Sequence, residues 1–93
     1  MAELLSDMEL ADRLRDSAWK LEDDQIVRSW SFENFAGAIS FVNRVAEVAE
    51  HRNHHPDILV HGWNKVRLSV TNHSAGGLTE ADFELARELD ALQ

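Results

Sequence analysis

The sequence contains no cysteine. A disulfide framework and a thiolate metal site are therefore both excluded. It has one proline and four glycines in 93 residues, too few for a collagen-like or low-complexity chain. Cations are scarce as well. Nine Lys and Arg stand against seventeen Asp and Glu, a formal net charge of −8, and the nine are scattered along the chain. Direct binding to nucleic acid or to an anionic membrane surface calls for a basic patch, and the sequence offers none. No apolar run approaches the roughly 20 residues of a membrane span. Met1–Asp7 lacks the basic and apolar regions of a secretory signal. These absences, with a hydrophobic share of 44%, lead to the expectation of one soluble, cytoplasmic domain over residues 1–93. A core of this size favours added stability from oligomerisation.

Periodicity supplies the elements. Ser6 and Glu9 have capping-box spacing and Leu5 and Leu10 that of a hydrophobic staple. A helix is predicted over about residues 7–16, with Leu10 and Leu14 inward. Ala18–Leu21 and Ile26–Phe32 flank the polar turn Glu22-Asp23-Asp24-Gln25 and read as a hairpin. In the second arm Ile26, Arg28, Trp30 and Phe32 share one parity and Val27, Ser29 and Ser31 the other. Arg28 on the apolar side implies a strand end or an arginine reaching a carboxylate.

From about residue 33 to 52 the period becomes helical. One stripe holds Phe35, Ile39, Val42, Ala46 and Ala49; a second holds Ala38, Phe41, Val45 and Val48. Together they exceed what a surface helix needs. Burial against a sheet explains the width, and so does packing of the second stripe against another subunit. Pro56 stops the helix. Strands are predicted at Ile58–Val60 and Trp63–Asn72. A last helix follows Ala75-Gly76-Gly77, with Thr79 and Asp82 at capping-box spacing, Leu78 and Phe83 able to staple it, and Leu85, Leu89 and Leu92 on one side. The order α-β-β-α-β-β-α is that of an α+β fold, a four-stranded antiparallel sheet with helices on one face.

All five histidines lie between positions 51 and 73. His51, His54 and His55 fall at the C-terminal end of the central helix, where the helix dipole stabilises an imidazolium. Four readings stay open on the residues alone. They are a solvated helix end, a metal site completed by His73, Asp57 or Glu50, acid–base chemistry, and a ligand site without chemistry.

A longer pattern runs through the cluster: Glu50, three residues, His54-His55-Pro56, six residues, Trp63, nine, His73, eight, Asp82. These seven positions at fixed spacing resemble the signature of pterin-4a-carbinolamine dehydratases. The likeness extends to Ile26-x-Arg28-x-Trp30-x-Phe32-x-x-Phe35, Ala38, Phe41, Val45-Ala46, Ala49-Glu50, Asn64-Lys65-Val66 and Gly77-Leu78-Thr79. Two positions depart from it. Asn72 stands where the family usually has Thr before the third functional histidine, with Thr71 one earlier, and Trp63 fills an aromatic position often held by Tyr.

The resemblance implies dehydration of 4a-hydroxytetrahydropterin to quinonoid dihydropterin, with no cofactor and no metal. It implies a catalytic set of His54, His55, His73 and Asp82. Within that set His55 and His73 transfer protons, in acid and base roles the sequence does not divide. His54 binds and orients, and Asp82 caps the last helix and steadies His73. Glu50, Pro56, Asp57 and Trp63 are implied on the substrate side, with Glu50 holding an imidazole in its useful tautomer. His51 and His61 read as surface. The implied partners are the pterin, further copies in a homodimer or homotetramer touching through the central helix and a strand edge, and functionally an aromatic amino-acid hydroxylase. The family also resembles interaction proteins, among them a dimerisation cofactor of a homeodomain transcription factor and relatives linked to assembly of a carbon-fixing enzyme. A non-catalytic module acting through oligomerisation is thus the alternative.

Overall fold

The alternation after Gln25 becomes the second strand of an antiparallel sheet in a computed structural model that describes residues 3–92. The elements are α1 (Asp7–Leu14), β1 (Lys20–Glu22), β2 (Gln25–Ser31), α2 (Phe35–Arg52), β3 (Asp57–His61), β4 (Lys65–Val70) and α3 (Glu80–Asp90). The four strands lie in the order β1-β2-β4-β3, each pair antiparallel. This is the α+β architecture that the pattern predicts.

Register divides the sheet into two unlike faces. Ile26 pairs with Val70, Arg28 with Leu68 and Trp30 with Val66, while Ile58 and Val60 of β3 pair with Leu68 and Val66. Paired residues share a face, so this side is almost wholly apolar. Val27, Ser29, Ser31, Lys65, Arg67 and Ser69 share the other, which is largely polar and partly exposed, with Val27 buried among them. The helices cover the apolar side. Ala38, Phe41, Val45 and Ala49 of α2 are buried. Phe41 stands with its ring centroid 4.9 Å from that of Trp30 and 5.1 Å from that of Phe32. Trp19 meets Trp30 edge-on at 5.8 Å, and Leu85, Ala86 and Leu89 of α3 complete the core. Leu10 and Leu14 pack at its margin.

This arrangement decides between the two explanations of the broad central helix. Ala38, Phe41 and Val45, the stripe considered for a subunit contact, lie under the sheet. The exposed apolar residues belong to the other stripe, led by Phe35 at 54% exposure. Arg28 is explained too: its guanidinium pairs with Asp90 at the end of α3 and lies 4.5 Å over the Trp30 ring, and Trp19 Nε1–H donates to the same carboxylate at 2.8 Å.

Boundaries shift for local reasons. α1 ends at Leu14 because Asp16 adopts a left-handed backbone, φ 60°. α2 begins at Phe35 because the Asn34 side chain accepts from Gly37 N–H at 2.7 Å. The last strand begins at Lys65, not at Trp63, since Gly62 and Trp63 both take positive φ (55° and 57°) and form the hairpin turn. The capping box at Ser6 and Glu9 forms in both directions.

Phe41→Ala is expected to cost about 3–5 kcal/mol of stability in urea unfolding, the range for emptying a buried aromatic site. Phe35→Ala is expected to stay within about 1 kcal/mol. Equal losses would mean that Phe35 is buried in solution.

Candidate active site

The site forms where α2 stops. Asn53 turns left-handed (φ 52°), its N–H donating to the Ala49 and Glu50 carbonyls, and His54 N–H donates to Ala49 O at 3.1 Å. The two histidines that follow leave the helix axis before Pro56 redirects the chain into β3. Opposite them β4 ends at Val70 and the chain runs on through His73. Between the two segments lies an open cavity of about 370 Å³ lined by Asn53, His54, His55, Thr71, Asn72, His73 and Ser74. Residues nearly twenty positions apart in sequence are thus gathered by the antiparallel path of β3 and β4.

His54 and His55 each have their own carboxylate. His54 is mostly covered, 16% of its side chain exposed, and its Nε2 stands 2.9 Å from Asp82 Oδ1. The same nitrogen is 3.2 Å from the Thr71 carbonyl. A carbonyl only accepts, so Nε2 carries a proton and the lone pair of neutral His54 is on Nδ1. Asp82 is wholly buried. Its Oδ2 accepts from Thr79 N–H at 2.7 Å and Thr79 Oγ1 at 3.2 Å, whereas Oδ1, despite its closeness to His54, has no aligned donor. Burial pushes the Asp82 carboxyl above its ordinary range; the Thr79 N–H and His54 pull the other way without cancelling it. His55 is exposed and its Nε2 lies 2.5 Å from Glu50 Oε2. Arg52 pairs with Glu88 of α3 at 2.9 Å, fixing this end of α2 against α3.

The structure therefore gathers His54, His55 and His73 on one cavity, with Asp82 and Glu50 behind two of them. It redirects one expected pairing and assigns the imidazole partner of Glu50, which the sequence left open. Asp82 meets His54 instead of His73, because the buried first turn of α3 faces the end of α2. Glu50 reaches His55, one residue beyond a helical turn, because Asn53 ends the helix between them. Pro56, Asp57 and Trp63 are not among the lining residues. Asp57 opens β3 opposite Ser69, and Trp63 lies at the far end of the β3–β4 hairpin, 62% exposed. His51 and His61 are exposed outside the cavity. Sequence reasoning missed Asn53 and Ser74 as lining residues; the only signal for Asn53 was the preference of Asn for left-handed helix ends. Among the described residues, no three His, Asp or Glu side chains converge as metal ligands.

The sequence matches the profile of the family described as pterin 4 alpha carbinolamine dehydratase over residues 3–92. The chain belongs to this family. Among its relatives, proteins carrying the provisional name pterin-4-alpha-carbinolamine dehydratase are 48% identical in Chloroflexus aurantiacus, over 95% of each chain, and 45% identical in Roseiflexus sp., over 99% of each. A crystal structure titled transcriptional coactivator/pterin dehydratase, from Brucella melitensis, superposes with a TM-score of 0.89 at 32% identity, covering 97% of this chain and 98% of that one. A pterin dehydratase-like protein identified as a RuBisCO assembly factor in the alpha-carboxysome matches at 23% identity with a TM-score of 0.64, over 80% and 84% of the two chains, and shares the fold.

The buried carboxyl gives the site a signature in stability. Asp82 has a folded pKa above its ordinary value of 3.8, so the folded chain holds that proton more tightly than the unfolded one. Its contribution is then fully present below the ordinary value and is lost as pH rises through the raised one. In urea unfolding, the stability of the parent relative to Asp82→Asn is expected to decline as pH rises above the ordinary carboxyl value of 3.8. A difference that stays flat as pH rises above that value would show that the carboxyl ionises alike in both states.

Proposed function

We propose that this chain dehydrates a 4a-hydroxytetrahydropterin to the quinonoid dihydropterin by histidine general acid–base catalysis. The observation that carries the reading is the meeting of His54, His55 and His73 on one open cavity. Family membership and relatives at 45–48% identity support the dehydratase class. In the reaction the C4a–O bond breaks, the hydroxyl leaves as water after gaining a proton, and a ring nitrogen gives up a proton as its electron pair forms the new C=N bond. One imidazole that donates and one that accepts suffice, and no electrons leave the substrate. His55 and His73, the two exposed members, are assigned to proton transfer. His54, held by Thr71 and Asp82, is assigned to binding and orientation. No redox, metal or nucleotide cofactor enters the scheme. By this reading the protein works in the cytoplasm and returns pterin to an aromatic amino-acid hydroxylase.

The competing reading is an assembly or interaction module of the same fold. Its support is the structural neighbour titled as a RuBisCO assembly factor, which at 23% identity speaks for the fold. Such a role would leave the histidine cavity unused.

Self-association belongs to the proposal as a homodimer or homotetramer. β3 is an edge strand with Ile58 and Leu59 exposed. Two such edges paired antiparallel about Leu59 would set Asp57 of each opposite His61 of the other, an acid–imidazole pair at both ends. The exposed Phe35 stripe of α2 offers a second contact.

Ultraviolet absorbance of freshly generated 4a-hydroxytetrahydropterin is expected to show catalysis by the parent, reduced about 10²–10⁴-fold in His55→Ala and in His73→Ala. Folded parent protein with no rate above the spontaneous one would sink the dehydratase and leave the module. In sedimentation velocity at about micromolar concentration, where interfaces of this class hold, the parent is expected to associate and Leu59→Arg to weaken it. A parent found only as monomer would end the oligomer proposal.

A further inference from the structure

His73 rides on a loop whose shape is set from a single residue. Asn72 and Gly77 exchange two backbone hydrogen bonds, N–H to O in each direction at 3.2 Å. The Asn72 carbonyl also accepts from Ala75 N–H at 3.2 Å and Gly76 N–H at 3.0 Å, and its side-chain Oδ1 accepts from Ala75 N–H at 3.0 Å. Gly76 completes the turn at φ 81°, a conformation costly for any residue with a side chain. The residue just before, Thr71, presents its carbonyl to His54 Nε2 and ties its own hydroxyl to Asp24 O at 2.7 Å in the β1–β2 turn.

Asn72 is thus the joint between the contact that aims His54 and the loop that carries His73. Short amide and carboxylate side chains fold back onto nearby backbone in this way and define a turn. His73 is exposed, so its direction depends on the loop beneath it. We infer that Asn72 is a positioning residue for the dehydration, acting through His73: its side-chain oxygen holds the loop so that the His73 imidazole faces the cavity shared with His54 and His55. The inference rests on the dehydratase reading. Displacement of a reacting group by about 1 Å can cost on the order of 10²-fold in rate, so one lost turn bond is enough to be felt.

The test is a set of variants assayed for dehydration and for amide hydrogen exchange. Asn72→Ala is expected to lower kcat about tenfold with KM within about twofold, a split that reports an interaction acting on the reacting geometry. Asn72→Asp keeps the acceptor and is expected to recover most of the rate. The double variant Asn72→Ala/His73→Ala is expected to be no slower than His73→Ala alone, since the two residues act as one unit. Exchange at Ala75 N–H, which needs no substrate, is expected to quicken in Asn72→Ala and not in His73→Ala. Unchanged kcat in folded Asn72→Ala, additive losses in the double variant, or unchanged Ala75 exchange would each overturn the inference while parent activity upheld the dehydratase. A folded but inactive parent would overturn both.

Discussion

A carboxylate with no contact with solvent holds the histidine-bearing end of the molecule together. Asp82 binds the N–H and hydroxyl of Thr79, so it stiffens the first turn of α3, and its other oxygen stands against His54 at the end of α2. One side chain thereby joins the start of one helix to the finish of another. Burying a carboxylate is costly unless hydrogen bonds and positive charge offset the lost hydration. Here the offset is partial, which is why burial still raises the pKa. The rest of the site is arranged around this junction. β4 must end beside it to supply the Thr71 carbonyl, and the chain beyond must bend back sharply to reach Thr79.

The same end is braced from outside. Arg52 pairs with Glu88, and Arg13 of α1 with Glu80 in the first turn of α3. These partly exposed ion pairs contribute little individually, but they join all three helices near Asp82. The amino-terminal segment adds a bridge between Leu4 and Thr79 and a 2.9 Å bond from Leu5 N–H to Leu78 O. The threonine that grips Asp82 is consequently held from both sides.

Much of this was legible in the sequence because local rules and tertiary needs agree. The capping residues Ser6 and Thr79, the alternation of β2, and the halt at Pro56 each point to the element that forms. Arg28, odd on an apolar face, proved to be an arginine reaching for Asp90. What could not be read was direction. Spacing showed that Glu50 lay one turn before His54, but not that Asn53 would swing His55 toward it. Spacing placed Asp82 after His73, while the packing of α3 on α2 gave it to His54. Trp63 sits within the same linear pattern as the histidines, yet a hairpin turn carries it to the opposite end of β3. Linear motifs preserve identity and lose orientation, which only backbone geometry restores.

That tryptophan raises a question of cost. Holding a side chain with Cβ in left-handed backbone is unfavourable by about 1–2 kcal/mol, and Trp63 does so at φ 57° while leaving most of its surface in water. Glycine or asparagine would make the same turn with less strain. The tip of the β3–β4 hairpin thus joins a strained backbone to an indole that is 62% exposed.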